Sequence, residues 1–311
     1  MAEGKWIEGL TPDTPAVDAA RAVLAARLGG VRHYLPLAAG EPGAAENVHQ
    51  LRVATRRAGA ALRLFRPLVP AKSYKQLRGA LRSIRAAAGH ARDWDVFALG
   101  LDTSPALQKA PMGAARDFLA TYALGCRAAA QHELDAAAAA HNQPLEEVGD
   151  RLLDALKPGD GEPFATVAEE TMGDLSARFA LLLDGDPTAA EELHALRIQG
   201  KQLRYAMELF ADCYAPPFCD ALYPAVEALQ GHLGDIQDGE VGLARLTVTL
   251  ADLKRLRPAA FKLVGPAVSK LRGEIAARAA AGKKGYRAWV KPWKRLLIDH
   301  PLARLALPVT P

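Results

Sequence analysis

A histidine and a set of arginines repeat at helical spacing early in the chain. The segment VHQLRVATRR, residues 48–57, places His49, Arg52 and Arg56 three and four residues apart, and Arg63 continues the series. At about 100° per residue, these four side chains share one face of an α-helix. We call this set stripe A (His49, Arg52, Arg56 and Arg63). A row of guanidinium groups beside an imidazole is suited to binding phosphate through charge and paired hydrogen bonds.

The next helical segment extends this positive charge. Its cations are spaced 3, 4 and 3 residues apart, and we call them stripe B (Lys75, Arg78, Arg82 and Arg85). From His49 to Arg92 the chain carries eleven Lys or Arg residues and no Asp or Glu. Like charges at i and i+4 destabilise a helix by a few tenths of a kcal/mol per pair. The uncompensated run therefore favours a site completed by an anion over an ordinary solvated face.

The first pattern returns in the second half of the chain. LHALRIQGKQLRY, residues 193–205, carries stripe C (His194, Arg197, Lys201 and Arg204). Sliding the chain on itself by 145 residues aligns His49 with His194, and the register continues without a gap to Val96 and Val241. The positions of stripe B then align with Asp220, Tyr223, Glu227 and Gln230. A gapless match in apolar and charged positions predicts a duplicated helical unit.

Composition and helix punctuation predict an all-α fold. Half of the residues are apolar and only 6% are aromatic, and no stretch alternates apolar and polar residues for long. We expect two pseudosymmetric antiparallel bundles, residues 1–157 and 158–311, divided near KPGDGEP at 157–163. After a first helix ending near residue 34, the predicted helices are 45–66, 72–90, 93–100, 112–140, 145–156, 163–183, 188–213, 218–235, 238–256, 258–281 and 285–298.

Several classes of protein fit this sequence poorly. Three scattered cysteines indicate neither a disulfide framework nor a metal knuckle. No apolar run approaches the roughly 18 residues of a membrane span, and the first fifteen residues lack the apolar stretch of a signal peptide. We therefore expect a cytoplasmic protein without a membrane partner and without a cofactor.

The number of cations indicates a ligand with many charges. Polyanions gain affinity by releasing counterions as Lys and Arg neutralise their phosphates. The candidates are nucleic acid, an anionic membrane surface and linear inorganic polyphosphate. Proteins that read nucleic acid interleave stacking aromatics with their cations. Between His49 and Arg92 only Phe65 and Tyr74 are aromatic. The composition therefore disfavours nucleic acid and matches a plain phosphate chain.

The role of the two stripe histidines stays open at this point. His49 and His194 lack the HExxH or HxxxH spacing of a metal site, so metal binding is disfavoured. They could add a charge beside phosphate, accept a phosphoryl group, or form structural hydrogen bonds. A basic segment near the end of the chain, residues 282–297, contains Trp289 and Trp293. We expect these tryptophans to dock a terminal helix.

The doubled motif resembles a known family, the CHAD domain, named as a conserved histidine α-helical domain. The resemblance rests on VHQLRVATRRAGAALRLF and LHALRIQGKQLRYAMELF, and on the GHARDWDV and LGDIQD segments that follow them. It implies paired helical bundles around a central basic cavity that binds inorganic polyphosphate, with targeting to polyphosphate granules. The family contacts carried over by position are His49, Arg52, Arg56, Arg57, His194, Arg197, Lys201 and Arg204.

The resemblance also bears on catalysis and on symmetry. Many relatives carry a triphosphatase domain, but this chain has no ExExK motif, so we expect a binding protein and not an enzyme. Asp93 and Asp238 look like the turn aspartates of the family, for which we expect helix capping or an arginine partner. Gln202 stands where the first half has Arg57, which favours the first half as the stronger binding side.

Overall fold

The computed structural model describes residues 5–40, 45–109 and 112–308. Its α-helices are α1 (Ala16–Gly40), α2 (Ala45–Leu64), α3 (Ala71–Thr103), α4 (Gly113–Ala155), α5 (Phe164–Asp184), α6 (Ala190–Leu209), α7 (Tyr223–Leu256), α8 (Pro258–Asp299) and α9 (Leu302–Leu305). A 3₁₀ turn (Ala211–Cys213) and a π-helical turn (Phe218–Leu222) precede α7. Within the described ranges, β structure is limited to two isolated bridges. The predicted all-α fold is confirmed.

Four of the predicted helix breaks are wrong, because α3, α4, α7 and α8 each run through one. In α4 the helix continues past Pro144, since Leu145 and Val148 on the following turn are buried against the core. In α8, glycine marks a close approach instead of an end. A Cβ on Gly282 would lie 2.7 Å from the carbonyl oxygen of His232 on α7. Glycine lets the two helices pack this closely.

Consecutive helices pack against one another in each half of the chain. In the first half α1 contacts α2 and α4, and α2 and α4 both contact neighbouring α3. In the second half α5 contacts α6, α6 contacts α7, and α7 and α8 form a long hairpin. The segment 156–163 connects the halves without regular structure. The duplication and the division after residue 157 stay predictions.

The halves share their buried cores. One core combines residues of α1 to α4 with residues of α5 to α8, and α2 packs directly on α6. A second core lies where the tips of the two hairpins meet, with Phe97 and Leu101 from α3, Leu119 from α4, and Leu246 and Val268 from α7 and α8. The halves therefore meet at both ends of their long hairpins.

The stripe-bearing helices have the packing faces that their sequences predict. Leu51, Ala58 and Ala61 of α2 are fully buried, and so is Leu196 of α6. Burial of these apolar side chains fixes the rotation of both helices about their axes. Each Å² of apolar surface removed from water stabilises the fold by about 25 cal/mol. The cations on the other faces are positioned by this packing.

The tryptophans of the basic C-terminal segment dock α8, as predicted. Trp289 and Trp293 are buried and stack on each other with ring centroids 5.2 Å apart. Both rings also make T-shaped contacts with Phe179 on α5. The Trp289 indole N–H donates to the carbonyl oxygen of Ala225 at 2.7 Å.

Candidate anion-binding site

The crossing of α2 and α6 brings stripes A and C together. Lys201 of α6 lies in the field of Arg197 on its own helix and of Arg56 and Arg52 on α2. Burial, followed by the charges of Arg197 and Arg56, lowers the pKa of Lys201 from its ordinary 10.5 to about 7. Burial and then Arg56 likewise lower the pKa of Arg52. The two halves thus direct cations toward one another, and their mutual repulsion disfavours the charged lysine.

Two aspartates each form an ion pair with one arginine, Arg52 in stripe A and Arg197 in stripe C. Arg52 lies 3.7 Å from Asp93 of α3, and Arg197 lies 3.9 Å from Asp238 of α7. Both pairs fit the 145-residue offset. The predicted arginine partners of the aspartates are therefore confirmed, whereas the aspartates lie inside helices and cap neither. These carboxylates orient the guanidinium groups and offset only part of the positive charge.

Arg245, which is not among the predicted site residues, joins the two halves near Asp93. Arg245 of α7 donates to the backbone oxygen of Asp93 at 2.6 Å and to its carboxylate at 3.0 Å. Its guanidinium also lies over the ring of Trp94. Arg245 has no charged counterpart at the 145-residue offset, so the repeat could not reveal it.

The two stripe histidines have different surroundings. His49 is half-buried, and burial followed by the charge of Arg92 lowers its pKa below the ordinary 6.5. This shift favours the neutral form of the imidazole at pH 7. His194 is exposed and its Nδ1 is hydrogen-bonded to the side chain of Gln237. Gln237 and Arg92 correspond at the 145-residue offset, so each histidine faces the same position of its neighbouring long helix.

Arg57 lies apart from the open cations. It is buried and its Nε donates to the carboxylate of Glu208, itself 1% exposed, at 2.8 Å. The other oxygen of Glu208 accepts a hydrogen bond from the hydroxyl of Tyr223 at 2.9 Å. The Nε group of Arg57 is thus committed to this buried pair. The structure therefore places Arg57 with the residues that join α2 to α6.

Arg204 of stripe C is compensated by acidic neighbours. Its Nη1 lies 3.2 Å from Glu227 and 4.0 Å from Glu208. Burial acts against the charge, but Glu208 and the neighbouring tyrosines outweigh it and raise the pKa of Arg204. The cations of stripe C that face α2 with little compensation are therefore Arg197 and Lys201.

Stripe B lies open on α3. All four of its side chains are exposed, and no carboxylate of the described chain lies within ion-pair distance of them. The pKa of Arg63 in stripe A is lowered by partial loss of hydration and then by Arg85 and Arg78. Stripes A and B therefore form one continuous basic surface.

Two further observations concern a cavity near α2 and the possibility of a metal site. A cavity of about 470 Å³ lies elsewhere on α2 and is lined by Trp6, Arg27, Tyr34 and Arg57, with no other stripe or family-contact residue. Across residues 5–40, 45–109 and 112–308, no group of three or more His, Cys, Asp or Glu side chains could hold a metal ion. The enclosed central cavity that the resemblance implies stays a prediction.

No helix in the described parts of the chain is long and apolar enough to cross a membrane.

The fold and the paired stripes define a class of all-α proteins in which two helical units meet along a basic surface. A profile of the CHAD domain family matches residues 16–247, so the chain belongs to the CHAD domain family. The crystal structure of the CHAD domain from the plant Ricinus communis is similar, with a TM-score of 0.68 and 26% sequence identity. That similarity covers 92% of this chain and 95% of the plant domain.

A bacterial structure shares the fold at lower identity. PptA from Streptomyces chartreusis matches with a TM-score of 0.61 and 16% identity, covering 89% of this chain and all of the PptA chain. No curated protein sequence matches the chain significantly.

Proposed function

We propose that this protein binds inorganic polyphosphate along the basic surface formed by stripes A and B and by Arg197 and Lys201. The observation that carries the proposal is the mutual facing of cations across α2 and α6, which adds to burial in lowering the pKa of Lys201 to about 7. An anion between these helices would relieve the repulsion and restore the charge of the lysine. Binding of a polyanion would therefore offset the repulsion between the cations of this surface.

The length of the basic surface supports a chain and not a single phosphate. At a rise of about 1.5 Å per residue, His49 to Arg63 spans roughly 21 Å, and Lys75 to Arg85 spans roughly 15 Å. One phosphate would be satisfied by two or three cations. A linear phosphate polymer can follow both rows, gaining affinity from each released counterion.

The aromatic residues beside the surface disfavour nucleic acid. Phe65 is buried, and Tyr74 is half-buried with the guanidinium of Arg66 over its ring. Neither ring is placed as a platform for an unstacked base, which is the usual source of single-strand affinity. A ligand that consists of phosphate alone needs no such platform.

The proposal assigns binding without catalysis, in the cytoplasm on polyphosphate granules. Binding through arginine and lysine requires neither a metal nor a general base. His49, whose neutral form is favoured in the empty site, would gain a proton beside phosphate oxygens and add one cation to the surface. The family membership supports this assignment, because the family contacts implied by the resemblance include members of stripes A and C.

Titration with long-chain polyphosphate at several salt concentrations tests the proposal. We expect binding that weakens steeply with salt, survives excess EDTA and is poorly displaced by single-stranded DNA at physiological salt. Loss of binding in EDTA would contradict the electrostatic account and favour a metal site. Release of inorganic phosphate that disappears in His49→Ala would show an enzyme, and equal competition by DNA would show a general nucleic-acid binder.

A further inference from the structure

Asp93 of α3 lies between an arginine from each half of the chain. Its Oδ1 lies 3.7 Å from Nη1 of Arg52 on α2, and its Oδ2 accepts a hydrogen bond from Nη2 of Arg245 on α7 at 3.0 Å. Nη1 of Arg245 also donates to the backbone oxygen of Asp93 at 2.6 Å. Both terminal nitrogens of Arg245 are thus engaged by a single residue, whose other carboxylate oxygen faces the arginine of stripe A.

The guanidinium of Arg245 is also held by an aromatic ring. It lies over Trp94, 4.8 Å from the ring centroid. The Trp94 ring in turn makes T-shaped contacts with Phe97 and Tyr122, so the ring is itself packed in place. Lysine does not reproduce an arginine that combines paired hydrogen bonds with a stacked ring, because an ammonium group has neither the planar shape nor the fork of donors.

The backbone that carries Arg245 is anchored in the second buried core. The next residue, Leu246, is fully buried in that core, which also contains Phe97 of α3. An anchored helix and a packed ring leave the side chain of Arg245 few alternative positions. Asp93 is therefore drawn to a defined place relative to α7.

This arrangement occurs on one side of the molecule. In the second half Asp238 pairs with Arg197 of its own half at 3.9 Å. The position that corresponds to Arg245 at the 145-residue offset is Gly100, which has no side chain to offer Asp238. Arg52 is thus held through a contact that crosses between the halves, and Arg197 is its natural control.

We propose that Arg245 is a positioning residue for polyphosphate binding, an inference that rests on the proposed function. Arg245 fixes the carboxylate of Asp93, and Asp93 fixes the guanidinium of Arg52. Arg52 lies among the cations of both halves, in the electrostatic field of Arg56 and of Lys201. A guanidinium that is already oriented loses less conformational freedom when phosphate binds. The second half thereby strengthens binding by the first half without a phosphate contact of its own at Arg245.

Side-chain dynamics of the ligand-free full chain test the positioning step. Nuclear magnetic relaxation of the arginine Nε–H groups measures their order on the picosecond to nanosecond timescale. Arg245→Lys keeps the charge and loses the paired hydrogen bonds, so we expect it to lower the order of Arg52 and to leave that of Arg197 unchanged. Thermal unfolding checks that the variant is folded. Unchanged order at Arg52 would overturn the proposal.

Titration with long-chain polyphosphate tests the consequence for binding. Arg245→Lys should weaken binding about fivefold, an effect of the size expected for coupling between contacting residues. The same change should have no effect in protein that also carries Arg52→Gln, because the residue to be positioned is then absent. The matched control is Arg255→Lys on the same helix, where the arginine is exposed and pairs with Asp252. We expect this control to bind as the unaltered protein does.

The outcomes separate this inference from the proposed function. An equal loss with and without Arg52→Gln contradicts the inference, because Arg245 would then contact the polyanion itself or support the fold in general. Undiminished binding by Arg245→Lys contradicts it as well. If the unaltered protein does not bind polyphosphate, the proposed function fails. A lowered order of Arg52 in that case would show that Arg245 positions Arg52 only for the stability of the protein.

Discussion

The same four positions serve different purposes on α3 and α7. On α3 they are the exposed cations of stripe B, which lack acidic partners in the described structure. On α7, three of the four matching residues form internal contacts. Tyr223 donates to Glu208, Glu227 pairs with Arg204, and Gln230 donates to the backbone oxygen of Arg197 at 3.3 Å. On α3 these positions carry exposed cations that we propose bind polyphosphate, whereas on α7 and the turn before it they are mostly used for contacts within the protein.

A charge exchange at a further position sharpens this difference. Arg63 of stripe A corresponds, at the 145-residue offset, to Glu208. Arg63 is exposed among other cations, whereas Glu208 is buried and joins Arg57, Tyr223 and Arg204. The second half thus uses a carboxylate to neutralise cations from both halves. Helices at matching positions thus have similar packing faces and opposite charges on part of their other faces.

The largest expected effect comes from removing the buried carboxylate. Glu208→Gln leaves Arg57 without its anionic partner in the core, which typically costs about 3 to 5 kcal/mol. Urea unfolding should show this loss, and Glu191→Gln on the exposed face of α6 should change stability by less than about 0.5 kcal/mol. The double variant Arg57→Met with Glu208→Leu should recover most of the loss. A small effect of Glu208→Gln would mean that the second half is not held by this cluster.

Charge reversal on stripe B should abolish most of the binding and leave the fold intact. Replacing Arg78, Arg82 and Arg85 with glutamate should weaken polyphosphate binding by about 100-fold at low salt, because each change removes a phosphate contact and adds repulsion. The matched control is the exposed α8 triple variant Lys270→Glu, Lys284→Glu and Lys291→Glu, which we expect to lower affinity only a few-fold. Equal losses in the two triple variants would show that net charge alone controls binding.

Protonation of Lys201 should couple binding to pH. Without a ligand, Lys201 has a pKa of about 7. A bound polyanion raises this pKa, so binding near pH 8 is accompanied by the uptake of about one proton per complex. Affinity is therefore greatest below pH 7 and falls as pH rises through that value. Calorimetry in buffers of different ionisation enthalpy measures the uptake. Lys201→Arg keeps the charge and should bind without this proton, whereas unchanged uptake would assign it to another group.

The smallest expected effect is the difference in stability loss between substitutions at Asp93 and at Asp238. Asp93 pairs with Arg52 and Arg245, whereas Asp238 pairs with Arg197 at 3.9 Å. Asp93→Asn should cost about 1 kcal/mol of stability, and Asp238→Asn only a few tenths, as for exposed pairs. Thermal unfolding measures both. Equal losses would indicate that the arginine from the other half contributes nothing at Asp93.

Local periodicity was enough to predict which faces of α2 and α6 pack and which carry charge. Those faces follow from the 3.6-residue repeat and from burial of residues such as Leu51 and Leu196. That Asp93 and Asp238 have arginine partners was one of two expectations, beside helix capping, that the family resemblance gave. These features depend on residues close in sequence or related by the repeat.

Long-range pairing accounts for what the sequence could not reveal. Arg57 reads as one more cation of VHQLRVATRR, and only the crossing of α2 and α6 brings it to Glu208, 151 residues away. Arg245 likewise meets Asp93 across the halves. The glycines of α8 read as helix breaks, because a sequence does not show that another backbone lies against them. Tertiary contacts, and not local preference, decide all three.

The dependence of polyphosphate affinity on salt tests the central claim most directly. Each neutralised phosphate contributes a slope of about −0.7 to −0.9 to the plot of log affinity against log salt. Neutralising Arg78, Arg82 and Arg85 with glutamine should reduce the magnitude of this slope by about 2 to 3. Neutralising Lys270, Lys284 and Lys291 should leave it unchanged. A slope that is the same in both triple variants and in the unaltered protein would contradict the account, because the polyanion would then not lie on stripe B.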